Sequence, residues 1–225
     1  MTTPVRPAFA RPSAVLFDCD GVLADSEGLV NRMVALDLTE RGWRLTPEQA
    51  RETFLGMALP EMMPMIRARC GTLPADWGQA LSRRIAQALH DGVEAIPGAV
   101  AALQAVAAAG LPLAVASNST RGELAAKLER LELTRFFGDR VFSYQDVPRP
   151  KPAPDMYLAA AKACGVLPQD CVVVEDSLLG ARAGIAAGCR VMGFARDTDA
   201  RVLAAVGAVP FASMAELPGL LGIAG

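Results

Sequence analysis

The chain has 225 residues, 52% of them hydrophobic, enough to bury a sizeable core as one large domain or as one domain carrying an insertion. Its 22 Lys and Arg against 24 Asp and Glu leave a net charge of -2, so there is no basic excess of the kind that marks a nucleic-acid footprint. Five cysteines, Cys19, Cys70, Cys164, Cys171 and Cys189, are scattered and never form a C-x-x-C pair, which argues against a disulfide scaffold or a zinc site and fits a reducing cytoplasm.

Residues 1–12 are rich in Pro and Arg and lack an apolar h-region, which predicts a loose tail and not a signal peptide. Residues 14–17 form a short apolar run, predicted as a buried strand, that ends in Asp18-Cys19-Asp20-Gly21. In extended backbone, residues i and i+2 point the same way. Asp18 and Asp20 then face one space just beyond the strand's carboxyl end, where open α/β sheets place their ligands. Two like charges this close repel unless a divalent metal, a shared proton or both intervene. The alternative is an ordinary turn, in which Asp and Gly are favoured for backbone reasons. Cys19 sits between carboxylates, which do not favour a thiolate, and is expected to pack away from them.

After Asp20 the pattern turns helical. Leu29, Met33, Leu36 and Leu38 form an approximate apolar stripe ending near Gly42, and residues 47–55, 60–70 and 74–90 read as three further helices. No strand-like run appears from about residue 25 to 95, an interval far longer than the roughly 2–6 residues of a βα connection. The expectation is an all-helical domain, residues 26–95, inserted into a discontinuous core made of residues 1–25 and 96–225. From Gly98 onward helices (99–109, 122–131, 154–164, 179–187) alternate with strands (113–116, 141–143, 171–174, 190–194, 208–211). That alternation predicts an α/β fold, a doubly wound parallel sheet with helices on both faces. The most apolar window, residues 99–116, contains Gln104, Gly110 and Pro112 and reads as helix, turn and strand, so no membrane partner is expected.

Polar residues stand at three strand ends: Asp18 and Asp20, Ser117 and Asn118, Glu175 and Asp176. Lys151 joins them from a loop, its backbone restricted by Pro150 and Pro152. Singly, Ser117-Asn118-Ser119-Thr120 could cap a helix and Lys151 could be a solvated lysine. As a set they meet the needs of phosphoryl transfer: a nucleophile, an acid/base, a cation and metal ligands.

This set, in this order, resembles the haloacid dehalogenase-like superfamily over nearly the whole chain, and the helical insertion resembles its C1 cap. Phe17-Asp18-Cys19-Asp20-Gly21 and Lys151-Pro152-Ala153-Pro154-Asp155 are similar to the β-phosphoglucomutase and sugar-phosphate phosphatase branch. The resemblance implies a phosphomonoester hydrolase acting on a small phosphorylated metabolite, a sugar phosphate above all. Asp18 would attack phosphorus and become an aspartyl-phosphate, while Asp20 would protonate the leaving group and then activate water. Mg²⁺ would be held by Asp18, the Asp20 backbone carbonyl and Asp176, with Glu175 direct or through water. Ser117, backbone amides near Asn118, and Lys151 would bind the phosphoryl oxygens. An ordinary aspartate, with a pKa of about 3.9, is too acidic for the first role, so the environment of Asp20 is expected to raise it.

Asp20 argues against dehalogenase activity, since true dehalogenases lack that second aspartate. Mutases of the branch share Ser26 but carry a histidine where Val30 stands and a basic residue in the cap loop, here Leu55-Gly56-Met57-Ala58-Leu59-Pro60. Both departures favour a phosphatase over a mutase. A regulatory phosphoacceptor protein is the further alternative, disfavoured by Asp20 and the insertion. His90 is expected at a helix end on the surface. Arg44, Arg51, Arg67 and Arg69 are candidates for contact with a second anionic group, although most are expected on solvated faces. Met57, Met62, Met63 and Met65 are expected to pack the cap. No nucleic-acid partner is expected, and a monomer is favoured.

Overall fold

The computed structural model describes residues 10–223; most of the N-terminal tail falls outside them. A six-stranded parallel sheet runs in the order β5-β4-β1-β6-β7-β8, from β1 (Ala14–Phe17), β4 (Leu113–Ser117), β5 (Val141–Ser143), β6 (Cys171–Glu175), β7 (Arg190–Phe194) and β8 (Val209–Phe211). The remaining strands, β2 (Ala24–Asp25) and β3 (Glu94–Ala95), pair antiparallel with each other. The expected doubly wound parallel sheet is therefore present.

Alternation along β1 sends its side chains into two separate cores. Val15 and Phe17 pack with Leu103 and Val106 of α5 (Ala99–Ala108), whereas Ala14 and Leu16 pack with Met156 and Tyr157 of α8 (Asp155–Ala163) and Ala181 of α9 (Leu178–Ala186). Burial on both faces explains why the parallel strands are continuous apolar runs instead of alternating ones. From β1 the chain proceeds to β4 and β5 on one side, then returns to β6 on the other. The strand order thus reverses at β1, and its carboxyl end is the switch-point crevice in which such sheets bind ligands.

Between β2 and β3 lie α1 (Glu27–Glu40), α2 (Pro47–Phe54), α3 (Leu59–Cys70) and α4 (Trp77–Gly92), with no strand among them. The β2–β3 ribbon pairs Ala24 with Ala95 and Asp25 with Glu94, so the two connections to the sheet run side by side. The stripe expected on α1 is partly displaced. Leu36 is 51% exposed, and the buried face carries Val34, Ala35, Asp37 and Leu38. A buried aspartate is tolerated because Trp77 Nε1 (2.7 Å), Arg41 Nε (2.8 Å) and an Arg84 guanidinium nitrogen (3.0 Å) all donate to it. Helix α4 lies along α6 (Arg121–Arg130), placing the helical segment over the carboxyl ends of the strands. Short helices α7 (Thr134–Phe137), α10 (Ala200–Ala205) and α11 (Leu217–Leu220) complete the chain. No helix among the described residues is long and apolar enough to cross a membrane.

Candidate active site

The ladder registers bring the polar strand ends together. Phe17 pairs with Val115 on β4 and with Val174 on β6, so Asp18 emerges at the level of Ala116 and Glu175. Lys151 reaches this point from its loop and is 2% exposed. Its Nζ donates to Asp18 Oδ1 (2.6 Å), Glu175 Oε1 (2.7 Å) and the Ala116 carbonyl (2.9 Å), and it lies 4.7 Å from the centre of the Tyr157 ring. Asn118 fixes the lysine's backbone from both sides. Its Oδ1 accepts from the Lys151 N–H (3.0 Å) and its Nδ2 donates to the Lys151 carbonyl (3.1 Å) and to the Gly56 carbonyl (2.9 Å). That last bond ties the sheet to the loop between α2 and α3.

Glu175 is fully buried and fully engaged. Its Oε1 accepts from Lys151 and Tyr157 Oη (3.0 Å), and its Oε2 accepts from the Ser177 N–H and hydroxyl (3.0 Å each). Space for it exists because residue 180 is glycine: a Cβ there would stand 1.5 Å from Glu175 Oε1. Asp176 is the opposite case. It is 5% exposed and forms no hydrogen bond or ion pair among the described residues. Gly21, at φ +73°, makes its approach possible, since a Cβ there would lie 2.1 Å from Asp176 Oδ2. Asp18, Glu175 and Asp176 each offer an oxygen within 4.8 Å of the others, a buried all-oxygen cluster suited to a cation. Burial, opposed by Lys151, pushes the Asp18 carboxyl up to about 7, and burial together with Glu175 and Asp18 pushes Asp176 well above its ordinary value.

Asp20 lies in a different field. Oδ1 accepts from the Ser26 hydroxyl and from Lys127 Nζ, and Oδ2 accepts from the hydroxyls of Ser117 (2.8 Å) and Ser119 (3.0 Å). Burial alone would raise this carboxyl. Lys127 and the hydroxyls outweigh burial and hold it well below the usual carboxylate range. The expected upward shift of Asp20 is therefore not what the structure has, because four donors from separate stretches of chain converge on it.

Lys127 was absent from the sequence-based set. It sits on α6, is 0% exposed, and donates also to Ser119 Oγ (2.7 Å). One signal existed: Leu124, Lys127 and Leu128 share the buried face of α6, so a lysine occupies an apolar stripe. Tyr157 was likewise missed, hidden in an apolar helix. Ser117 is fully buried and its hydroxyl is spent on Asp20. Cys19 is buried in the core, and burial raises its thiol, as expected of an inert packing residue.

Above these residues lies a cleft enclosing about 150 Å³, lined from the sheet by Asp18, Asp20, Asn118 and Lys151 and from the helices by Val30 and Met57 among others. Arg44, Arg51, Arg67 and Arg69 do not line it, and His90 is exposed near the end of α4. Met62 is buried and Met57, Met63 and Met65 pack against the core.

A family model of haloacid dehalogenase-like hydrolases matches residues 12–188. The 6-phosphogluconate phosphatase of Escherichia coli (strain K12) is 34% identical over 213 residues, 94% of this chain and 95% of the relative. Hexitol phosphatase A of the same organism is 34% identical over 192 residues, 84% of this chain and 86% of the relative. A haloacid dehalogenase family hydrolase from Deinococcus radiodurans R1, solved with bound phosphate and sodium, superposes with a TM-score of 0.74 at 37% identity, covering 95% of this chain and 96% of that one. With the strand-end carboxylates, the buried lysine and the helical segment after β2 in place, the chain belongs to the haloacid dehalogenase-like hydrolases.

Proposed function

We propose that this protein is a Mg²⁺-dependent phosphomonoesterase that acts on a small phosphorylated metabolite of the sugar-phosphate kind through an aspartyl-phosphate on Asp18. One observation carries the reading. Asp18 opens into the cleft with Oδ1 held by Lys151 and Oδ2 without a hydrogen-bond partner among the described residues. The two relatives, named 6-phosphogluconate phosphatase and hexitol phosphatase A, support a phosphorylated sugar acid or polyol as the substrate kind. In this reading residues 26–95 form the cap and residues 1–25 and 96–225 the core.

The donor set fits a hard divalent cation, because Asp18 and Asp176 present oxygens that the protein's own cations leave unsatisfied. Those two carboxylates and the backbone carbonyl of Asp20 would hold it. When bound, it would shield the attacking carboxylate from the charge of the phosphate. Glu175 has no uncommitted oxygen, so its part is to fix Lys151, with any link to the cation running through water.

Asp18 Oδ2 attacks phosphorus as the ester oxygen departs. Asp20 gives that oxygen a proton, then takes one from the water that hydrolyses the aspartyl-phosphate and restores Asp18. Lys151, clamped by Asn118, offsets charge on the transferring oxygens, and Ser117, fully buried with its hydroxyl on Asp20, positions that carboxylate. The four donors around Asp20 favour its ionised form, the base of the second step. The proton it gives in the first step is taken up against Lys127, the strongest of the groups that favour the ionised form. The uncharged wall at Val30 and residues 55–60 supports hydrolysis over the handling of a bisphosphate by a mutase.

The test is phosphate release from a panel of sugar phosphates with Mg²⁺, including β-glucose 1-phosphate with a trace of the 1,6-bisphosphate. Release from one or a few esters, lost in Asp18→Asn and Asp20→Asn, is expected. Isomerisation to glucose 6-phosphate with little free phosphate would overturn the hydrolase reading.

A further inference from the structure

Beyond the carboxylates of the sheet, the cleft is walled by Val30, Val34, Phe54, Met57, Leu81 and Ile85. Its polar groups on that side include Glu27 and Asn31 of α1, Ser82 of α4, Thr120 and Glu123 at the start of α6, and Tyr144. Glu27 and Glu123 bring carboxylates, and the others are neutral. Lys151 is the one cationic side chain lining the cleft among the described residues, and it is bound to Asp18 and Glu175. Arg51 approaches from α2 but is paired with Glu27 at 2.9 Å. Arg67 and Arg83 line an adjoining depression, and the 2.7 Å hydrogen bond between Ser82 and Thr120 stands where the two spaces meet.

We infer that the site selects phosphomonoesters of small uncharged hydroxylated alcohols and discriminates against substrates carrying a second anionic group. This rests on the phosphomonoesterase reading and names its substrate class. A carboxylate or second phosphate on the leaving group would enter a space that holds two carboxylates and no free cation. It would give up its water without gaining a cationic partner, and desolvated unpaired charge is costly. A hydroxyl in the same place donates to Glu27, Glu123 or Asn31. A wall of half-buried acceptors favours a ligand that donates to them over one that repels them. The aliphatic wall accommodates the carbon chain, and the modest volume limits its size.

The experiment compares kcat/KM within matched pairs. Hexitol 6-phosphate and 6-phosphogluconate share six carbons and differ in a terminal hydroxymethyl against a carboxylate. Glycerol 1-phosphate and 3-phosphoglycerate form a shorter pair. The neutral member of each is expected to be preferred by about tenfold or more. Glu27→Gln, which also releases Arg51 from its partner, is expected to shrink that ratio by raising turnover of the acid relative to the alcohol. A variant that merely loosened the fold would lower both members alike and leave the ratio unchanged. Hydrolysis of 6-phosphogluconate and 3-phosphoglycerate as fast as their neutral partners, or faster, overturns the inference while leaving the hydrolase standing. Hydrolysis of no ester by folded wild-type protein overturns the phosphomonoesterase reading, and the substrate class with it.

Discussion

Asp18 and Asp20 are two residues apart, leave the same strand and face the same cleft, yet the protein treats them oppositely. Asp18 receives one lysine and otherwise meets carboxylates, so burial dominates and its carboxyl rises to about 7. Asp20 receives a lysine and three hydroxyls, and its acidity is strengthened. Position on a strand decides where a side chain points; the number of donors brought to it decides what it can do. The carboxylate left short of donors, beside an equally short Asp176, is the one suited to share a cation and attack an electrophile. The one saturated with donors is held ionised, and in the proposed mechanism it is the proton carrier.

The largest expected effect tests that division. Asp18→Asn removes the proposed nucleophile and should reduce phosphate release by about 10⁴-fold or more, as loss of an attacking group does elsewhere. Its far-ultraviolet circular dichroism should match wild type, because Lys151 keeps its bonds to Glu175 and Ala116. Residual activity within tenfold of wild type, roughly, would remove Asp18 from the chemistry.

Lys127 sharpens the other half of the comparison. Lys127→Met leaves the half-buried Asp20 without its cation, and breaking a fully buried pair costs about 3–5 kcal/mol. Because Asp20 keeps three hydroxyl donors and its side chain is 28% exposed, a loss near the lower end, about 3 kcal/mol, is expected in urea unfolding. Asp20→Asn combined with Lys127→Met should recover part of that loss, giving a coupling of about 1 kcal/mol or more in the double-mutant cycle. Strict additivity would mean the pair is not what lowers Asp20.

Much of this architecture was readable before any coordinates. Apolar runs ending in polar residues located β1, β4 and β6 and placed Asp18, Ser117 and Glu175 at one end of the sheet, because a buried parallel strand must end where polarity begins. The behaviour of Asp20 was not readable. Its donors come from residues 26, 117, 119 and 127, and no local pattern announces a convergence made by tertiary packing. Lys127 was obscured by convention, since a lysine in a charged helix is ordinarily solvated. The open or engaged state of Glu175 was equally hidden, because it depends on Tyr157, which arrives from a helix that reads as plain core. Leu36 was misplaced on α1, whose buried face carries Asp37 instead.

The contrast between donor-poor and donor-rich carboxylates also predicts how pH and metal act together. Asp18 and Asp176 have carboxyls raised above their unfolded values, so their protonated forms favour the fold. Their contribution to stability is fully present below about pH 4 and is lost as pH rises through the folded value, about 7 for Asp18. Metal-free protein should therefore lose stability from this cluster between about pH 4 and 8. Mg²⁺, which binds the deprotonated carboxylates, should restore it, by about 2.7 kcal/mol at a hundredfold excess over Kd. Thermal midpoints measured with and without Mg²⁺ should diverge at pH 8 and converge at pH 5, and Asp176→Asn should abolish the divergence. A Mg²⁺ effect independent of pH would place the cation elsewhere.

The smallest effect comes from a third buried carboxylate that has donors but no cleft. Asp37 accepts from Trp77, Arg41 and Arg84 inside the helical segment and does not line the catalytic space. There the saturated carboxylate joins α1 to α4 through Trp77 and Arg84. Trp77→Phe deletes one charge-assisted donor and leaves two, which should cost about 1–2 kcal/mol of unfolding free energy. Phosphate release per folded molecule should stay within about twofold of wild type, since the ring volume is largely kept and no cleft residue moves. A loss of turnover comparable to that of Asp20→Asn would mean that the α1–α4 packing tunes the chemistry through Ser26, at the start of α1, and that the helical segment is part of the proton-handling device and not only its cover.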